Sequence, residues 1–207
     1  MNAANQPLRE RIEWLDIWIA DGDATTLPRV LLIGDSIARG YRDETARQLA
    51  DRASVSRLST SKSLGDCALL AETELVLRGY SWDIIHFNNG LHGFGYTEAE
   101  YAAALPEWLS LMCRLAPKAH LIWATTTAMR EQANLADFAP WNARVIKRNG
   151  IVAPIVSEQR IPIDDLYAIS AANPAYYAAD GVHFNPDGAS SLAVSVAAAV
   201  TSVLKGQ

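Results

Sequence analysis

The sequence predicts an α/β protein, a sandwich with helices on both faces of a parallel sheet. Three observations carry that expectation. Short apolar runs of strand length alternate with longer segments of helical spacing along the 207 residues. The runs are continuously apolar, which suits strands buried on both faces. Reactive polar residues follow directly on two of the runs, at Gly34-Asp35-Ser36 and at Asn88 to Gly93. Open parallel sheets collect their functional groups at such strand ends.

The elements follow in order. Arg29 to Ile33 is the first buried strand and ends at Gly34. The segment before Val30 is expected to be a helical extension over residues 1–28, with Ile12, Leu15, Trp18 and Ile19 on its apolar face. Arg39 to Asp51 reads as a helix, Val55 to Leu58 as a short strand, and Gly65 to Arg78 as a helix through Leu69, Leu70, Leu75 and Leu77. Trp82 to Phe87 is the next strand. Thr97, followed by Glu98 and Glu100, looks like an N-cap with acids in the first turn. That helix is expected to reach Leu115, and Pro106 inside it to kink or split it. His120 to Ala124 is another strand. Trp141 to Gln159 reads as a helix, Ile161 to Ile163 as a strand, and Pro186 to Leu204 as a closing helix. Ala128 to Pro140 is the least regular stretch and is expected to be a loop over the active-site end of the sheet. No internal repeat or low-complexity linker is evident, so one domain over 1–207 is expected.

Composition narrows the function classes. Half of the residues are hydrophobic and a fifth are charged, with a formal net charge of -5. That balance is ordinary for a globular chain. It gives no support for a nucleic-acid partner or a polybasic membrane patch. Arg9, Glu10, Arg11, Glu13 and Asp16 would interrupt a signal-peptide core, so a cytoplasmic location is expected. Cys67 and Cys113 show no metal-ligand spacing and are expected to be reduced, buried thiols.

Two clusters can carry chemistry. Ser36 sits after a strand and near a helix start, where free backbone N–H groups favour an oxyanion. The same tripeptide also suits a simple N-cap. In Asp180-Gly181-Val182-His183, the aspartate can turn back to one ring nitrogen of the histidine. That leaves the other nitrogen to take a serine's proton. The same tetrapeptide also suits a surface turn before a helix.

Together, the serine after the first strand and the Asp/His pair before the last helix resemble the SGNH hydrolases, also called the GDSL esterase/lipase family. Gly34-Asp35-Ser36 matches the family's first block, and Asp180 and His183 match its Asp-x-x-His block. Gly65 stands for the glycine of the second block. The third block departs from the usual Gly-x-Asn-Asp. Phe87-Asn88-Asn89-Gly90-Leu91-His92 instead resembles a subgroup with Phe-Asn-x-Gly-Leu-His-Asp. Gly93 stands where that subgroup has aspartate, so a carboxylate behind the histidine is missing.

The resemblance implies a flavodoxin-like, three-layer α/β/α fold with a five-stranded parallel sheet. It implies a serine ester hydrolase acting through an acyl-enzyme on a small-molecule ester, with short acyl groups such as acetyl on a carbohydrate fitting best. The catalytic residues would be Ser36, Asp180 and His183. The oxyanion would be held by the N–H groups of Ser36 and Gly65 and by a side chain from His92 or Asn89, with Asn88 as a further alternative. No metal or organic cofactor is expected. Thioesterase or acyltransferase activity, a non-catalytic binding domain, and a metal-dependent hydrolase using Asp35, His92 and His183 are the competing readings. Asp35 itself is expected to brace the turn.

Overall fold

The protein is described by a computed structural model over residues 8–24 and 26–206. Its centre is a sheet in the order β1-β3-β2-β4-β5-β6. The strands are Leu15–Trp18 (β1), Arg29–Gly34 (β2), Ser54–Thr60 (β3), Ile84–Phe87 (β4), His120–Ala124 (β5) and Ile163–Asp164 (β6). From β3 to β6 every pairing is parallel; β1 alone is antiparallel, on the β3 edge. The helices are Ser36–Gln48 (α1), Cys67–Gly79 (α2), Glu98–Leu115 (α3), Asn142–Glu158 (α4), Leu166–Ala172 (α5) and Pro186–Lys205 (α6).

The three layers follow from β2. Its successive side chains alternate between two apolar cores, because neighbouring Cβ atoms point to opposite faces. Val30 and Leu32 pack with Ile37, Tyr41, Leu192 and Val196 of α1 and α6. Leu31 and Ile33 pack with Leu69, Val76, Trp108 and Val152 of α2, α3 and α4. Each such fully buried aliphatic side chain contributes about 1.5–3 kcal/mol. α6 is long and apolar enough to cross a membrane by composition. Here its apolar side closes the α1 face of the sheet through Leu192, Val196 and Val200.

The five parallel strands appear as expected, and several details differ. No helix forms before Val30 among the described residues, and residues 1–7 of the expected 1–28 extension lie outside them. Leu15–Trp18 is an edge strand instead, with Leu15 opposite Thr60 and Trp18 opposite Arg57. Otherwise β3 would end the sheet with unpaired backbone groups, which a strand satisfies and a helix does not. Leu15 and Trp18 are exposed, as is Ile12, while Ile17 and Ile19 pack on the core.

α1 starts at Ser36 rather than Arg39, capped by Asp35, whose Oδ1 accepts from Ile37 N at 2.8 Å. α3 carries the expected capping box at Thr97 and Glu100 and runs through Pro106 without a break. Cys67 and Cys113 are free thiols on helices, but both are exposed and not buried.

Candidate active site

In the strand order, β2 has β3 on one side and β4 on the other, so the direction of chain crossover reverses between β2 and β4. A crevice opens at the carboxyl ends of the strands at such a point. Ser36 follows β2 there, and Asn88 to Gly93 follows β4. The loop before α6 reaches the same crevice.

That loop is pinned by backbone bonds. Ala178 N donates to His183 O at 2.8 Å, Asn185 N to Tyr176 O at 2.9 Å, and Arg130 N to Gly181 O at 2.8 Å. Tyr177 and Phe184 face each other with ring centroids 4.7 Å apart. So held, His183 places Nε2 2.8 Å from Ser36 Oγ and Nδ1 2.6 Å from Asp180 Oδ2. Asp180 Oδ1 accepts the N–H groups of Val182 and His183 at 2.9 and 2.8 Å. Ser36, His183 and Asp180 therefore form one hydrogen-bonded line. Desolvation alone would raise the Asp180 carboxyl, but the bonds from His183 and from the two backbone N–H groups outweigh it and hold it below its ordinary value. The carboxylate thus stays ionised as the partner of Nδ1–H.

Gly65 lies on the turn into α2 at φ +101, where a Cβ would sit 2.8 Å from the Tyr96 ring. Both the conformation and the space require glycine. Among the described residues the backbone N–H groups of Ser36 and Gly65 have no acceptor. The two asparagines are already engaged. Asn89 Oδ1 accepts from Leu64 N at 3.0 Å and its Nδ2 donates to Lys62 O at 2.8 Å, tying the β4 loop to the β3 loop. Asn88 Nδ2 donates to Ala124 O at 2.7 Å and to Thr126 Oγ1 at 3.1 Å. His92 has its Nδ1 on Glu10 and no bond from Nε2 among the described residues. Asn88 thus has both amide hydrogens bonded and Asn89 one of its two, while His92 Nε2 donates only when the ring carries a hydrogen on both nitrogens.

The β4 loop has a charged support that no motif or spacing marks. Arg148 of α4 is fully buried. It donates to Gly90 O at 2.9 Å, His92 O at 2.6 Å and Gly93 O at 2.9 Å, and stacks 4.8 Å over the Tyr101 ring. A planar guanidinium can bridge several carbonyls where no water reaches.

Arg130 does not face the crevice. It is buried, donates to the carbonyls of Leu135, Ala136 and Ala171, and stiffens the irregular 128–140 loop. Trp123 is core, Tyr177 is buried with its hydroxyl on Ala128 O, and Trp141 is exposed and stacked on Phe94. His86 is buried in the sheet, 2.9 Å from Asp164.

Asp35 sits beneath Ser36, fully buried. Desolvation raises its carboxyl, with His92, the Ile37 N–H and His183 acting against it. A carboxyl raised in the folded state stabilises the fold fully below its unfolded pKa and loses that contribution as pH rises through the folded value. Asp35→Asn keeps an oxygen for the cap and carries no charge. It is expected to melt higher than wild type at pH 7, and the two to converge towards pH 3. Scanning calorimetry across that range checks it; a gap that widens in acid contradicts it.

A cavity of about 90 Å³ adjoins Ser36 and His183, walled by Ile37, Tyr41, Phe184, Ala189 and Leu192. A larger one, about 190 Å³, lies between α2 and α3 and touches Gly65 but neither Ser36 nor His183. The smaller is the one next to Ser36 and His183.

No family model matches the sequence, and no curated protein matches it by sequence. Solved structures do match the fold. An aryl esterase of M. smegmatis superposes with a TM-score of 0.68 at 16% identity, covering 85% of this chain and 99% of that one. A carbohydrate esterase family 3 protein from Talaromyces cellulolyticus gives 0.67 at 16%, covering 87% and 99%. A GDSL-like lipase from Bacteroides thetaiotaomicron gives 0.63 at 17%, covering 90% and 95%. At these identities the likeness is one of architecture: this chain has the α/β fold on which those esterases and that lipase are built.

Proposed function

We propose that this protein is a serine ester hydrolase that removes short acyl groups from a small-molecule ester. The observation that carries the reading is the line Asp180–His183–Ser36, with both bonds of His183 at 2.8 Å or less. Ser36 Oγ attacks the acyl carbonyl carbon as its proton passes to His183 Nε2. Asp180 accepts the Nδ1–H bond and stabilises the imidazolium. The oxyanion lies between the free N–H groups of Ser36 and Gly65, with His92 Nε2 as the side-chain donor. His183 then protonates the leaving alkoxide, and the acyl group stays on Ser36. Water, deprotonated by His183, releases it. The side chains of His183 and Asp180 are about half exposed, 49% and 48%, so water reaches the acyl-enzyme. The esterases and lipase that share the fold support the same class of chemistry.

The cavity beside Ser36 suits an acyl group of a few carbons. In a screen of p-nitrophenyl esters, acetate to butyrate are expected to turn over faster than octanoate. Ala189→Leu narrows the cavity and is expected to lower kcat/KM for butyrate about tenfold relative to acetate, the usual worth of a methylene or so in an apolar pocket. An unchanged ratio places the acyl group elsewhere. Acetylated sugars in the same screen test the alcohol side. The reading also requires that a fluorophosphonate probe label Ser36 and that turnover survive strong chelation.

A further inference from the structure

The third sequence block lacks a carboxylate behind His92, because Gly93 stands where the resembling subgroup has aspartate. No side chain fits there. Gly93 has φ +71, and a Cβ would lie 2.1 Å from Ser63 Oγ. A carboxylate is nevertheless present. Glu10, 82 residues earlier, places Oε2 3.0 Å from His92 Nδ1, and its Oε1 accepts Gly93 N at 2.9 Å. One side chain from the N-terminal segment thus clamps both the ring and the backbone turn that follows it.

We infer that Glu10 is a positioning residue that orients His92 towards the oxyanion, in the role that position 93 cannot fill. The inference rests on the ester-hydrolase reading above. A carboxylate only accepts, so Nδ1 carries the hydrogen. Nε2 donates as well when the ring is an imidazolium, and Glu10 supplies the counter-charge for that form. Trp14 closes the ring's edge, with centroids 5.9 Å apart at 74°, and Arg148 holds the His92 carbonyl. The ring is therefore fixed on the Nδ1 side and free on the Nε2 side, the arrangement a preorganised donor needs.

The test is a double-mutant cycle on p-nitrophenyl acetate with wild type, Glu10→Gln, His92→Ala and the pair. Glu10→Gln is expected to lower kcat by about tenfold to a hundredfold with KM changed less than about twofold, as for loss of an orienting partner. His92→Ala is expected to lose roughly a hundredfold or more. In the His92→Ala background Glu10→Gln is expected to cost nothing further, because its effect runs through the ring. Glu10→Asp is expected to recover most of kcat. A wild-type kcat in Glu10→Gln, or the same loss with and without His92, overturns the inference. Ring ¹⁵N shifts of His92 in the wild type need no variant to fold. Hydrogens on both nitrogens support the inference, and a bare Nδ1 or a bare Nε2 overturns it. Fluorophosphonate labelling separates the two levels. Wild type without label or turnover sinks the hydrolase reading and this inference with it, whereas full labelling of every variant confines a kinetic failure to Glu10.

Discussion

Ser36→Ala is expected to lower ester hydrolysis by at least about a thousandfold, towards the roughly millionfold loss seen when a triad serine is removed. In the proposed mechanism the Ser36 hydroxyl forms the acyl-enzyme. Its one side-chain bond among the described residues is to His183 Nε2. Removing it therefore leaves the core intact, and the melting temperature is expected to stay within a few degrees of wild type. His183→Ala is expected to match the loss, and the double variant to be no worse than either, because the two act as one unit. The measurement is kcat/KM on the best p-nitrophenyl ester, with calorimetry alongside. Activity that survives Ser36→Ala in a folded protein ends the serine mechanism.

Arg148→Met is expected to destabilise the fold by about 3 kcal/mol, the scale for removing one partner of a buried charged network. The methionine fills the volume, but the carbonyls of Gly90, His92 and Gly93 lose their donor where no water replaces it. Arg148→Lys is expected to recover little, since a single ammonium cannot span three carbonyls from one side chain. The same loop carries His92, so kcat is expected to fall in parallel in whatever fraction remains folded. Urea unfolding monitored by far-ultraviolet dichroism gives the stability change. A shift under about 1 kcal/mol, with activity kept, means that the loop holds its shape by other bonds.

The parts of the fold legible in the sequence were those governed by local rules. The run Arg29 to Ile33 is apolar at four successive positions, and a strand covered on both faces is the arrangement that buries all of them. Thr97 and Glu100 close a capping box within four residues, so the start of α3 is written locally. The edge strand Leu15–Trp18 was not legible. Four residues with one charge fit a helix face or a strand equally well, and the choice was made by the open backbone of β3, forty residues later in the chain. α5, at seven residues, is too short to show a period.

The candidate site divides in the same way. Asp180 and His183 are three residues apart on one turn, so their pairing follows from local geometry, and Ser36, Asp180 and His183 are residue types that allow triad chemistry. What surrounds each candidate oxyanion donor is not local. Asn88, Asn89 and His92 offer donors at nearly adjacent positions, and their identities do not rank them. The fold gives each a different set of partners. Backbone carbonyls at Lys62 and Ala124 draw the two amides away, and Glu10 takes one side of the imidazole. Ser36 as the candidate nucleophile was therefore determined by sequence. The setting of His92 was decided only by tertiary structure, because a hydrogen bond across 82 residues leaves no periodicity or spacing for a sequence to display.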